Sequence, residues 1–197
     1  ADRVIVTVPV SILKRSGITF TPPLPEKKLA AIQEIDFWDG FKAFIQFEEN
    51  FYPAFVDRII RPIKKGQISY YDAAWGQKSS QHILGLFSIG EPATAYSKLT
   101  DDEFRDQVLK ELDEIFEGQA SKNYKDHLTQ HWGKVSFVEG AYVNDYSSPK
   151  LITRLQESVA GKVFFAGDAY TSGNDWGNVH NAINSSALSV NEILNRQ

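Results

Sequence analysis

The period of apolar positions changes several times along this chain, and each change predicts an element. Residues 3–9 (RVIVTVP) are β-branched and continuously apolar apart from Arg3 and Thr7, which predicts a buried strand stopped by Pro9. Residues 20–28 are proline-rich and read as an extended connector. A short helix is expected over 25–35, with Leu29 and Ile32 on one face. Residues 42–52 (KAFIQFEENFY) set Phe44 and Gln46 against Ala43, Ile45 and Phe47, the alternation of a strand with aromatics on both faces. Residues 68–90 predict two more strands, antiparallel neighbours. Thr100 and Glu103 form a capping box. The helix it opens carries Phe104, Val108, Leu112, Ile115 and Phe116 on one face and stops at Gly118. Residues 125–133 (KDHLTQHWG) read as a connector or short helix, and 135–143 as strand or extended chain. A buried strand is expected over 162–166. A last helix follows over 179–194, with Val179, Ala182, Ile183, Val190, Ile193 and Leu194 apolar. The outer thirds thus read as parts of one α/β sheet and the middle as an inserted antiparallel sheet with helices, an α+β chain overall.

Bulk properties narrow the function. The 197 residues suffice for one large domain or two small ones. A net charge of -4 argues against nucleic acid or an anionic membrane as partner. Without cysteine there are no disulfides or thiolate metal sites. No apolar run is long enough for a membrane span, so a soluble chain is expected, with the cytoplasm favoured. The opening ADRVIVTVPV has no basic leader and reads as a strand, and there is no Met. A fragment, a processed product or one subunit of a split protein is therefore expected.

Candidate chemistry concentrates in residues 164–187 (FFAGDAYTSGNDWGNVHNAINSSA). A strand, a Gly-Asp turn and a helix N-terminus form a geometry that holds anions and polarised rings. Gly167 permits close backbone approach, Asp168 offers a carboxylate to a sugar hydroxyl, and Gly177 frees the backbone before the helix. The N–H groups of Asn178, Val179 and His180 then point outward. A plain strand–loop–helix connection with Asp168 as a cap is the other reading. Neither GxGxxG nor GxxxxGK[ST] occurs, so any dinucleotide would find most of its pyrophosphate site outside this chain. Lys42 enters a strand near Phe41, Phe44 and Phe47, either partly buried or solvated at the strand end. Tyr142 either faces a pocket or belongs to the core. His127 and His131, four apart, are weak metal candidates without a carboxylate motif, and no metal is expected. HExxH and GxSxG are absent. Glu139, Asp145 and Asp175 can each offer an anion to a cationic ligand, or simply be solvated.

Four segments, in order, resemble the C-terminal part of the flavin-containing amine oxidases, which include monoamine and polyamine oxidases and flavin-dependent histone demethylases. They are VIVTVPVSILKRSGITFTPPLPEKKLAAI (4–32), DGFKAFIQFEENFY (39–52), HWGKVSFVEGAYV (131–143) and VFFAGDAYTSGNDWGNVHNAI (163–183). The resemblance covers essentially this whole chain and about the last two-fifths of a typical member. It implies a return strand of the FAD-binding domain at 1–17, a substrate-binding domain at 18–140 and a C-terminal FAD-binding segment at 141–197, with the N-terminal βαβ of that Rossmann-like domain absent. It implies FAD as cofactor and a small amine and O2 as substrates. Hydride would pass from the amine Cα–H to flavin N5, and reoxidation by O2 would give H2O2. It implies an N-terminal FAD-binding region or partner chain that completes the site. Lys42 would match the lysine that holds a water at flavin N5, and Tyr142 one wall of the aromatic cage, the two catalytic positions. Asp168, with Gly167 beside it, would match the acid on the ribityl chain, and Val179 N–H the donor to flavin O2, with Gly177, Asn178 and Trp176 around the ring. The sequence departs from the pattern where Asp168 replaces the usual Glu, where Asn178 stands in place of a second cage Tyr, and where Asn181 and Ser186 replace glycines. Trp176 can supply a replacement wall or pack in the core. The alternative is a cofactor-free binding module derived from the substrate domain.

Overall fold

The computed structural model describes residues 1–144, 146–171 and 176–195. Asp145 and Asp175, two of the candidate anions, lie outside the described residues. The elements run β1 (Val4–Val6), α1 (Val10–Lys14), α2 (Glu26–Glu34), β2 (Gly40–Phe47), β3 (Phe55–Arg58), β4 (Gly66–Asp72), β5 (His82–Gly90) and α3 (Glu91–Tyr96). Then follow α4 (Asp101–Phe116), α5 (Gln119–Asn123), β6 (Tyr124–His131), α6 (Pro149–Gln156), β7 (Val163–Phe165) and α7 (Val179–Asn195). Among the described residues, no helix is long and apolar enough to cross a membrane. The chain divides into two compact units, one built from 1–38 with 135–197 and the other from 39–134.

The 39–134 unit is an antiparallel five-stranded sheet in the order β3-β4-β5-β2-β6. Strand β2 takes an inner place because its alternation is strict: Phe41, Ala43, Ile45 and Phe47 are buried, while Lys42, Phe44 and Gln46 face away from that core. The expected antiparallel pairing of residues 68–90 is present, with Tyr70 opposite Leu86 and Ile68 opposite Ser88. Helix α4 seals the buried face with Phe104, Val108, Leu109 and Leu112. Its capping box forms, since Glu103 N donates to Thr100 Oγ1 at 3.3 Å and Thr100 N to Glu103 Oε2 at 2.8 Å. Ile115, expected on the buried face, is 40% exposed, while Leu109, outside the expected set, is buried.

Residues 124–131 are a strand, not the connector or short helix that their polarity suggested. They pair with β2 along its length, Phe44 opposite Leu128. The inward positions belong to His127, Thr129 and His131 instead of aliphatics. The His131 ring lies 4.7 Å from Phe41 and the His127 ring 5.5 Å from Phe104.

The other unit holds a two-stranded parallel sheet, β1 against β7, with Val4 opposite Val163. Strand β1 is shorter than 3–9 because the chain turns at Pro9, which caps α1. Residues 135–143 contribute one bridge, Val143 to Phe37, and no strand. Lys28 of α2 is 4% exposed and caps the C-terminal end of α6. Its ammonium donates to the carbonyls of Arg154 (3.1 Å), Leu155 (2.9 Å) and Glu157 (2.5 Å) and lies 3.7 Å from the Phe165 ring centroid.

Helix α7 inverts the expected face. Its buried residues are Asn181, Ser185 and Ser189, whereas Val179 is 80%, Ile183 64%, Val190 44% and Leu194 54% exposed. Small polar side chains suit the inner face because they bond the strand and its loop. Ser189 Oγ donates to Phe165 O at 3.0 Å, and Ser185 Oγ to Gly167 O at 2.8 Å.

Candidate functional site

In the first unit, the turn after β7 is held from two sides. Gly167 N donates back to Ser185 Oγ at 2.9 Å, so one hydroxyl both receives from and gives to the same glycine. Gly167 has φ of 145°, and a Cβ there would come 3.2 Å from the Tyr170 ring. Tyr170 is buried and anchors to the chain just after β1 through Tyr170 OH, which donates to Val8 O at 2.7 Å. Asp168 is half-buried, and burial pushes its carboxyl above the usual carboxylate range, opposed by the backbone N–H groups of Asp168 and Ala169.

The chain meets this turn again at Gly177, whose N–H donates to Asp168 O at 3.3 Å. Gly177 has φ of 78°, and a Cβ there would lie 3.3 Å from the ring of Tyr142. Tyr142 is half-buried, its ring 6.2 Å from Trp38 and its carbonyl accepting from Trp38 N at 2.8 Å. Trp176 is 7% exposed and packs in the core, with Nε1 donating to Asn144 O at 3.3 Å. Asn178 immediately precedes α7, its carbonyl accepting from Asn181 N and Ala182 N. Val179 is the first helical residue and the most exposed of the large apolar side chains among the described residues; the first N–H groups of a helix have no partner within it.

Tyr142, Gly167, Asp168, Trp176, Gly177, Asn178 and Val179 therefore belong to one unit, and Gly177 links them by touching both the Asp168 carbonyl and the Tyr142 ring. Chemically the assembly offers N–H donors at a helix N-terminus, a carboxylate whose desolvation favours donors or hydroxyls as partners, and an aromatic face. Two residues outside the sequence prediction of the site matter here. Ser185 fixes Gly167, and Asn181 Nδ2 is buried without a hydrogen-bond partner among the described residues. The available signal was the i, i+4, i+8 row Asn181, Ser185, Ser189. Glu139 is committed elsewhere, paired with Arg15 at 2.7 Å.

Lys42 lies in the 39–134 unit. It is half-buried, but Phe41 and Phe47 point to the opposite side of β2. Its aromatic neighbour is Phe87 on β5, 5.6 Å from the ammonium to the ring centroid. The same sheet face carries Phe44 and Tyr71. The Tyr71 ring lies over Gly85, where a Cβ would come within 2.4 Å of it.

Comparison with known proteins gives one consistent answer. The sequence pattern described as "Flavin containing amine oxidoreductase" matches residues 1–194. The chain is 28% identical over 177 residues to mouse lysine-specific histone demethylase 1B, covering 86% of this chain and 21% of that protein. It is 28% identical over 198 residues to rice polyamine oxidase 3, covering 100% of this chain and 40% of that protein. A mutant of putrescine oxidase, from a redesign of its cofactor binding, superposes with a TM-score of 0.71 at 18% identity, over 100% of this chain and 43% of its own. The chain thus spans only part of the length of these relatives, and it shares their mixed α/β fold with an antiparallel sheet. On the match of residues 1–194, this chain belongs to the flavin-containing amine oxidoreductases, a family whose cofactor is FAD.

Proposed function

We propose that this chain supplies the amine-binding unit and the ring-side half of the FAD site of an amine oxidase, completed by an N-terminal FAD-binding region or a partner chain. The observation that carries the reading is α7. It uses Ser185 to hold the Gly167 turn and leaves an apolar stripe exposed in a unit whose parallel sheet has two strands among the described residues. Parallel strands normally lie covered on both faces, so such a half-sheet needs further chain. A match to two-fifths of a polyamine oxidase agrees with that need.

The residues present suit the group. Gly167 and Gly177 let backbone approach closely, and Asp168 offers its carboxylate to ribityl hydroxyls. The N–H of Val179 would hold the carbonyl edge of the ring, where negative charge grows on reduction, and Tyr142 would offer a wall. Bound FAD would take a hydride from the amine carbon and deliver the electrons to O2, giving H2O2. The role assigned to Lys42 is to hold a water at the ring, its cationic head stabilising negative charge as oxygen is reduced. Segments 18–140 and 1–17 with 141–197 divide the substrate and flavin roles.

Flavin absorbance tests this directly. The chain alone is expected to take up little FAD. Mixed with the FAD-binding N-terminal region of a similar polyamine oxidase, it should turn yellow and bleach when an amine is added. No uptake beside that region would sink the proposal and leave the cofactor-free binding module. Lys42→Met is expected to slow flavin reoxidation by about tenfold or more while largely sparing reduction by amine. Unchanged oxygen kinetics would remove Lys42 from this role.

A further inference from the structure

The 39–134 unit contains a second feature that the flavin chemistry does not use. A cavity of about 370 Å³ opens between α3, α4, β3 and β4, walled by Ile60, Ile68, Pro92 and Leu99. That volume lies within the range of small-molecule sites, about 300–1,000 Å³. At its polar end stands Glu111, 9% exposed, whose carboxylate is already committed. Its Oε2 accepts from Tyr96 OH at 2.6 Å and lies 2.5 Å from Arg58 Nη1, and its Oε1 accepts from Gln107 Nε2 at 2.6 Å.

The ordinary account of this cluster is a buried ion pair tying edge strand β3 to α4. That role is real, yet it does not account for the cavity beside the pair or for the remaining donors of Arg58. Glu111 has spent its strongest acceptor positions. Arg58 has five N–H donors in a planar fork, and one nitrogen faces Glu111. The spare capacity at the head of the cavity is therefore for an acceptor, and the rest of the wall is aliphatic.

We infer that this cavity binds a small amphiphilic carboxylate, its head on the free edge of the Arg58 guanidinium and its tail against Ile60, Ile68, Pro92 and Leu99. A carboxylate matches the fork geometry and gains a charge-assisted hydrogen bond. An amine would meet a carboxylate that already faces four donors, Tyr70 OH at 3.4 Å among them, and an arginine of its own sign. The site lies wholly within one unit and does not depend on the flavin reading.

The test titrates the isotope-labelled 197-residue chain with octanoate and, separately, octylamine, following backbone amides by NMR. The two probes share a tail and invert the head. Octanoate is expected to shift the amides of Ile60, Leu99 and Gln107 saturably, with a dissociation constant of about 1 mM for a ligand this small. Octylamine should bind about tenfold more weakly or not at all. Arg58→Gln should remove the preference for octanoate. Because that change also leaves Glu111 without its cation, Ala95→Phe serves as a second variant. Ala95 lines the cavity from an exposed rim position, and a ring there should block octanoate while the rest of the spectrum is preserved. Octylamine binding as tightly as octanoate, no saturable shift to about 10 mM, or unchanged binding in Ala95→Phe would each overturn the inference.

Discussion

The two long helices of this chain follow the same periodicity and use it in opposite ways. Helix α4 turns Phe104, Val108 and Leu112 inward, all at 2% exposure or less. Helix α7 spaces Val179, Ile183, Ala187, Val190 and Leu194 just as regularly, yet turns them out and buries Asn181, Ser185 and Ser189. Periodicity fixes which residues share a face; it does not say which face meets the body of the protein. For α4 the sheet of its own unit decides. For α7 the strand and turn at its back need hydrogen-bond donors, which serines supply and aliphatics do not.

The contrast is sharpest where each helix is cut. Leu112→Ala removes a fully buried side chain from a closed core. It should cost about 2–5 kcal/mol of stability, read from chemical denaturation followed through the tryptophans and far-ultraviolet circular dichroism. A loss under about 1 kcal/mol would mean that α4 does not seal the sheet as described.

A second effect belongs to the other unit and depends on pH. Burial lowers the pKa of Lys28 to about 7, opposed by Glu157, although three carbonyls and the Phe165 ring hold its charged form. The folded-state pKa is thus below the unfolded value of 10.5. Below about pH 7 both states keep the proton and the cost of burying the charge is complete. Between about pH 7 and pH 10 the unfolded chain binds more protons than the folded one, so stability rises with pH. Denaturation at a series of pH values should show a gain of up to about 4 kcal/mol across that window that Lys28→Met lacks. Equal slopes in the two proteins would show that the carbonyl cage keeps Lys28 protonated throughout.

Ser185→Ala tests the polar back of α7. It deletes one hydroxyl and leaves both Gly167 N–H and C=O without it, at a cost of about 1–3 kcal/mol and with faster amide exchange in the turn. If apolar packing instead held this helix, alanine would be neutral.

Much of this was legible in sequence where local and long-range preferences agree. The Thr100–Glu103 box, the alternation in β2 and the 68–90 pair each specify an element, and the pair its antiparallel partner as well. Strand β6 was not legible, because His127, Thr129 and His131 take the places of aliphatics and no hydrophobic period appears. Lys28 sits in a charged run, EKK, that reads as surface, and only the carbonyls ending α6, more than a hundred residues away, explain its burial. In the candidate site, the glycines and Asp168 were legible because a strand-to-helix turn constrains them. Trp176 had two readings, wall or core, that differ only in tertiary contacts, and its indole bond to Asn144 favours the core.

The smallest expected effect bears hardest on the comparison. Ile183→Ser places a polar group on the exposed stripe of α7, next to Asn184 and Ser186, which are exposed as well, while Ser185 between them is buried. The helix therefore already tolerates polar side chains on its outer side, and surface changes of this kind usually stay within about 0.5 kcal/mol. The chain alone should melt as before. Beside an FAD-binding region the same variant should bind that region at least about tenfold more weakly, because burying a serine where isoleucine fitted forfeits about 1.5–3 kcal/mol of apolar contact. Stability and association are thus expected to separate at this one residue. If Ile183→Ser instead destabilised the chain by itself, the stripe would belong to a core already complete, and the contrast between α4 and α7 would be one of degree. If it changed neither stability nor association, α7 would remain amphipathic without a partner, and the FAD-binding region would have to be held by other surfaces of the same unit.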